Sequence, residues 1–263
     1  MFLMLLFILG LAIGSFLNCV IYRLEKDQGF ISGRSFCPSC NHVLNWQDLI
    51  PLLSFIFLKG KCRYCQKPIS LQYPLVELLT GALFLLNFWI LNPSFSAFDL
   101  LKLIYYLIAS CFLIVIFIFD LKHYLIPDQF VYSAIAVSAV WYFISSFFFS
   151  FYTSGEIFNF IYSAIGSALF FLAIYLLTRK KGLGFGDIEI AFFMGLFLGF
   201  PNIIVALFLA FFSGALVGIV LIVFNKKTLK SELPFGPFLV SSTFFALFFG
   251  QGVINYYFTL LSL

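Results

Sequence analysis

Two aspartates stand where polar ends meet apolar runs in a chain that is mostly hydrophobic. Asp120 closes one run, in Ile118-Phe119-Asp120-Leu121, and Asp187 opens another, in Gly184-Phe185-Gly186-Asp187-Ile188. A carboxylate at the edge of hydrocarbon is costly unless it is hydrated, paired or used, so each marks a candidate site. Brought together by folding, two such groups could form a dyad that shares one proton, of the kind able to hydrolyse a peptide bond. The ionised member takes a proton from water while the protonated member polarises the carbonyl. Like charge at close range and partial desolvation both oppose double ionisation, so one proton belongs to the pair rather than to either residue.

Other residues around the two acids allow both a chemical and a structural use. Gly182, Gly184 and Gly186 leave a backbone that an extended peptide can approach closely; the same run is also a turn that ends with Asp187 capping a helix. Asp128 follows Pro127, where proline and aspartate commonly start helices, and helix initiation is its first expectation, with support of the active site as the second. Glu77, shortly after Pro74, is an acid at the start of an apolar run. It is suited to bind a basic substrate group or to open the helix. His42 and His123 have no partner pattern of a catalytic triad.

A second chemistry lies upstream. Cys37-Pro-Ser-Cys40 and Cys62-Arg-Tyr-Cys65 are two Cys-x-x-Cys knuckles, a spacing suited to four thiolates around one tetrahedral metal. Zinc is the first choice, and iron in a rubredoxin-like site uses the same ligands. Two disulfides are the alternative, disfavoured in a reducing compartment. A four-thiolate site is saturated, so it holds a fold rather than activating water. Cys19 and Cys111 sit inside apolar runs and read as small buried hydrophobes.

The elements that must position these groups are membrane helices. A hydrophobic content of 63% and a mean hydropathy of +1.09 exclude an ordinary soluble domain. Apolar runs at about 1–21, 75–92, 100–119, 130–151, 157–177, 188–200, 202–224 and 236–260 give an all-α polytopic membrane protein of about eight transmembrane helices. The run 188–200 is the shortest, and Pro201-Asn202 marks a tight turn after it. Three parts are expected: helix 1 over 1–21, a small metal-stabilised cytoplasmic loop domain over 22–74, and a seven-helix membrane domain over 75–263. Helix 1 has no basic residue before its apolar run, which favours a retained anchor over a cleaved signal. The segment 49–58 is too short to span and suits the interface.

Charge placement gives the orientation. With helix 1 running outside to inside, Arg23, Lys26, Arg34, Lys59, Lys61, Arg63, Lys67, Lys122, Arg179, Lys180, Lys181, Lys226, Lys227 and Lys230 all fall on cytoplasmic segments, and only Lys102 does not. Both termini are then outside. Asp120 ends span three and Asp187 begins span six, so both lie at the cytoplasmic face. The net charge of +4 is an orientation signal, with no nucleic-acid partner implied.

Gly14-Ser15-Phe16-Leu17-Asn18-Cys19-Val20-Ile21-Tyr22-Arg23 resembles the amino-terminal signature of bacterial type IV prepilin peptidases. The paired cysteine motifs, Tyr73-Pro74-Leu75-Val76-Glu77-Leu78, Asp120 to Asp128, Gly184-Phe185-Gly186-Asp187 and Pro234-Phe235-Gly236-Pro237 follow in family order. The resemblance spans nearly the whole chain. It implies a GxGD-type aspartic protease of the bacterial cytoplasmic (inner) membrane, with its active site and cysteine-rich loop at the cytoplasmic face. Its substrates would be prepilins or pseudopilins with a basic leader, of pilus or protein-secretion systems. It also implies N-methylation of the new amino terminus from S-adenosylmethionine. By motif matching the catalytic residues are Asp120 and Asp187. The chain departs from the family at Glu189, where a lysine is usual, which places a negative charge near the dyad.

No Gly-x-Gly-x-x-Gly segment follows a strand pattern, so the S-adenosylmethionine site is carried by the resemblance alone. Three alternatives remain at this level: a peptidase without methyl transfer, a proton-relaying transporter, and a scaffold organised by its metal loop. A transporter calls for acids near the bilayer midplane, whereas these two stand at span ends.

Overall fold

In the computed structural model the described residues are 1–26, 28–29, 33–94, 96–149, 151–179, 182–224 and 233–261. Lys180, Lys181, Lys226, Lys227 and Lys230, part of the orientation argument, lie outside them. Most of the described residues are helical, and two compact units divide at Val115 and Ile116.

The first unit begins with α1 (Phe2–Leu24) and α3 (Gln72–Leu91), and between them lie a 3-10 turn (Trp46–Leu49) and the short α2 (Leu53–Phe57). Small residues let α1 and α3 touch backbone to backbone. A Cβ at Gly10 would stand 2.7 Å from Gly81 Cα, and one at Gly14 2.7 Å from Glu77 Cα. Without a hydrophobic force between helices in lipid, such close approach is what packing relies on. Polar bonds add to it: Asn18 Nδ2 donates to the Tyr73 carbonyl at 3.0 Å. From α4 (Ala97–His123), Ser110 Oγ accepts from Asn87 Nδ2 on α3 at 3.0 Å, and Leu103 and Leu107 join Leu6 and Phe84 in a buried cluster.

The second unit takes the end of α4 and adds α5 (Asp128–Phe147), α6 (Ser154–Leu177), α7 (Phe185–Leu198), α8 (Asn202–Val223) and α9 (Gly236–Leu261). Its centre is α7. From Asp187 to Leu198 all but one of its residues are buried, as expected of a helix apolar on every side. Ser167 Oγ on α6 donates to the Ala191 carbonyl at 2.7 Å, and Gly195 leaves no room for a Cβ against the backbone of Ser163.

Among the described residues, seven helices are long and apolar enough to cross a membrane: α1, α3, α4, α5, α6, α8 and α9. The eighth expected span is α7, which has 14 residues and measures about 21 Å. Its neighbours fix its direction. Near its start Tyr132 Oη donates to Glu189 Oε1 at 2.6 Å, and near its end Tyr142 Oη donates to the Leu196 carbonyl at 2.7 Å, so α5 and α7 run parallel. Asn159, early in α6, pairs with the backbone of Phe200, so α6 runs antiparallel to both. Helix α7 therefore carries the chain from one end of this unit to the other despite its length.

Candidate active site and four-cysteine centre

Asp120 lies in the last turn of α4 and is 3% exposed. Its Oδ2 accepts the Gly236 N–H, the first of α9, at 2.8 Å. That donor has no partner inside its own helix, because the first N–H groups of any helix are orphaned, and an acid beside them is also favoured by the helix dipole. A Cβ at Gly236 would stand 2.6 Å from the same oxygen, so only glycine allows this approach.

Asp187 sits in the first turn of α7, 5% exposed, and its Oδ2 accepts the Gly184 N–H at 2.8 Å. Gly184 is the N-cap, so Asp187 reaches back from the third helical position rather than capping the helix itself, as one sequence reading had it. Gly186 meets Ile126 so closely that a Cβ would lie 2.7 Å from that of the isoleucine. Gly184 differs: a Cβ there meets only Asp187 Oδ2, at an ordinary 3.5 Å. Gly186, next to Asp187, packs against Ile126 in the turn that follows Asp120, so the two carboxylates stand at the same end of the second unit.

The other sequence candidates spread around this pair. Asp128 is exposed in the first turn of α5, with Pro127 as N-cap, the place of a helix initiator. Glu189 is buried, held by Tyr132 through one oxygen, while its Oε2 is buried without a hydrogen-bond partner among the described residues. Glu77 belongs to the first unit and is buried, its carboxylate taking the Leu52 N–H at 2.8 Å and a bond from the Ser15 side chain. Sequence reading did not single out Gly236, Ile126 or Tyr132 as site residues. The signal for Gly236 was its position in Pro234-Phe235-Gly236-Pro237, where a prolyl ring follows a glycine at a helix start.

The four cysteines converge. The sulfurs of Cys37, Cys40, Cys62 and Cys65 all lie within 4.8 Å of one another, and none is in a disulfide. Each pair is framed the same way. The Cys37 and Cys62 N–H groups donate to the His42 and Lys67 carbonyls, both at 2.9 Å. Asn41 and Gln66 turn the chain at φ 56° and 57° and donate their N–H groups back to the Cys37 and Cys62 carbonyls. A metal with sulfur bonds of about 2.3 Å separates tetrahedral sulfurs by about 3.8 Å; Cys37 and Cys65 stand 3.9 Å apart. The donor set and spacing fit a structural metal. His42 lies with its ring against Tyr64, 3.6 Å between centroids. Arg63 Nε bonds Asp48 Oδ1 at 2.7 Å and Tyr64 Oη donates to Asp48 Oδ2 at 3.1 Å, tying the second knuckle to the 3-10 turn.

Comparison with known proteins agrees with this layout. Residues 8–91 match the model of the bacterial peptidase A24 N-terminal domain, and residues 107–219 match that of the type IV leader peptidase family. A prepilin leader peptidase/N-methyltransferase of Aeromonas hydrophila is 31% identical over 293 residues, covering 97% of this chain and 93% of that protein. The chain belongs to the type IV leader peptidase family. Proteins of the same name from Legionella pneumophila (31% identical, 94% of this chain, 91% of that protein) and Bacillus subtilis (31%, 96% of each) are similarly close. No solved structure matches the chain. As a leader peptidase family member with seven span-length helices among its described residues, it is a multi-pass membrane protein.

Proposed function

We propose that this chain cleaves the leader peptide of type IV prepilins or pseudopilins and then N-methylates the new amino terminus. The observation that carries the peptidase reading is the pairing of Asp120 and Asp187. Two nearly buried carboxylates, from helices far apart in sequence, stand at the same end of one compact unit, and each is oriented by a glycine N–H. In that setting one carboxylate accepts a proton from the attacking water. Its partner donates a proton to the carbonyl oxygen, and the amine leaves with a proton returned by the pair. Gly184 stands in open space beside Asp187, where an extended substrate has room, whereas Gly186 is closed off by Ile126.

The orientation follows the positive-inside rule: the dyad and the four-cysteine loop face the cytoplasm of a bacterial inner membrane. Basic leader residues are then presented on the side where the acids stand. Zinc is the metal that four thiolates at this spacing favour, and it holds the loop together. The methyl-transfer activity rests on the relatives' names. S-adenosylmethionine would supply an electrophilic methyl group to the new amine. No strand-to-helix nucleoside turn occurs among the described residues, so no residue is assigned to it. A transporter reading is not favoured, because the acids stand at helix ends.

Co-expression of a prepilin with the wild-type chain, Asp120→Asn and Asp187→Asn tests the reading, with mass spectrometry of the product's amino terminus. Cleavage and methylation by the wild type and loss of cleavage in both variants are expected. Full cleavage by either membrane-folded variant would remove that aspartate from the mechanism.

A further inference from the structure

The loop between α1 and α3 exposes an apolar face that its own fold does not use. On α2, Leu53, Ile56 and Phe57 follow the i, i+3, i+4 spacing of one helix face and are 51%, 65% and 79% exposed. Phe55 points the other way, packing over Gly60 within the loop. Trp46 is also exposed, in the 3-10 turn that packs beside α2. Lys59 and Lys61, both exposed, follow directly.

The height of this face is set by one hydrogen bond. Leu52 N–H, at the start of α2, is held by the carboxylate of Glu77. Glu77 lies five residues into α3, about 7 Å inward of its first residue, and opposite Gly14, about 15 Å inward of the end of α1. The bond thus holds the start of α2 at the level of the second turn of α3 instead of beyond the helix end. Leu52 also has φ 57°, a conformation a leucine rarely adopts, so the turn that aims α2 is imposed by its surroundings.

We propose that α2 lies in the bilayer interface, with Leu53, Ile56 and Phe57 among the acyl chains and Lys59 and Lys61 at the headgroup phosphates. The segment anchors the four-cysteine loop to the membrane surface. The occupant is lipid because the surface stands beside two spanning helices, at the level of their turns, and joins apolar side chains to flanking cations. This inference needs only the multi-pass character of the chain, not its proposed activity.

The test uses the full chain in nanodiscs of equal parts phosphatidylglycerol and phosphatidylcholine. Phe57→Trp and, separately, Ile56→Trp are placed in a background lacking the three native tryptophans, with Lys67→Trp as an exposed reference. Metal content reports that the loop is folded. Emission from positions 56 and 57 is expected to be blue-shifted, mostly quenched by brominated lipid and little affected by iodide, with position 67 the reverse. Quenching of 56 and 57 by iodide alone would overturn the proposal. So would resistance to both quenchers, which would mean that protein covers the face.

Discussion

At the residue scale, what distinguishes the glycines near the dyad is not their flexibility but what stands opposite each one. Gly236 and Gly184 both give an N–H to a candidate catalytic carboxylate, yet a Cβ would fall 2.6 Å from Asp120 in the first case and at an ordinary contact distance from Asp187 in the second. Alanine at 236 must push Asp120 or α9 aside, and displacements near 1 Å commonly cost about 100-fold in rate. Gly236→Ala is therefore expected to lower prepilin cleavage about 100-fold with the protein still present in membranes, whereas Gly184→Ala, at φ −75°, keeps near wild-type activity. Comparable loss in both, measured as initial cleavage rates, would contradict this reading. The two aspartates were legible in the sequence because a carboxylate at the edge of an apolar run is conspicuous. Gly236 was legible only as part of Pro234-Phe235-Gly236-Pro237, because the local pattern marks a helix start and does not reveal a donor to a residue 116 positions away.

At the element scale, sequence and structure part mainly at helix ends. The third span was expected over 100–119, but α4 continues to His123 and holds Asp120 inside its last turn, because a helix propagates through polar residues that a hydropathy window excludes. The fifth span starts at Ser154 rather than 157, where Thr153 and Glu156 exchange capping bonds, a signal that was readable. Helix α7 was expected from 188 and starts at Phe185, since Gly184 caps it and Gly199, at φ 66°, ends it. The cysteine loop was the most legible element, because two Cys-x-x-Cys knuckles specify a geometry that few other residues could alter. With a metal bound as proposed, its order is expected to depend on that metal, since the loop has little apolar core and structural zinc in zinc-finger peptides contributes about 10–16 kcal/mol. Cys40→Ser or Cys65→Ser is expected to abolish stoichiometric metal in the purified chain. It should also open the segment 34–70 to limited proteolysis and leave the helical circular dichroism unchanged. Retained metal in both variants would refute a four-thiolate centre.

At the scale of the whole molecule, the number of crossings decides where the termini lie, and α7 is the helix on which that number turns. By length it falls short of the hydrocarbon thickness of about 30 Å. Yet the bond from Gly236 to Asp120 sets the start of α9 at the end of α4, and the bonds from Tyr132 and Tyr142 align α7 with α5. Helix α8, which leads to α9, must then begin at the opposite end, and α7 has to deliver the chain there. The remaining depth would fall to backbone outside the helix, which is tolerable where it faces protein or water rather than lipid. With eight crossings, residues 22–74 are expected on one side and both termini on the other. Reporter fusions that are active only outside the cytoplasm are therefore expected to be active after residues 96 and 261 and silent after residues 66 and 179. A silent fusion at 261 with the others as expected would mean that α7 turns back within the membrane. The parallel course of α5 and α7 would then not survive in the bilayer.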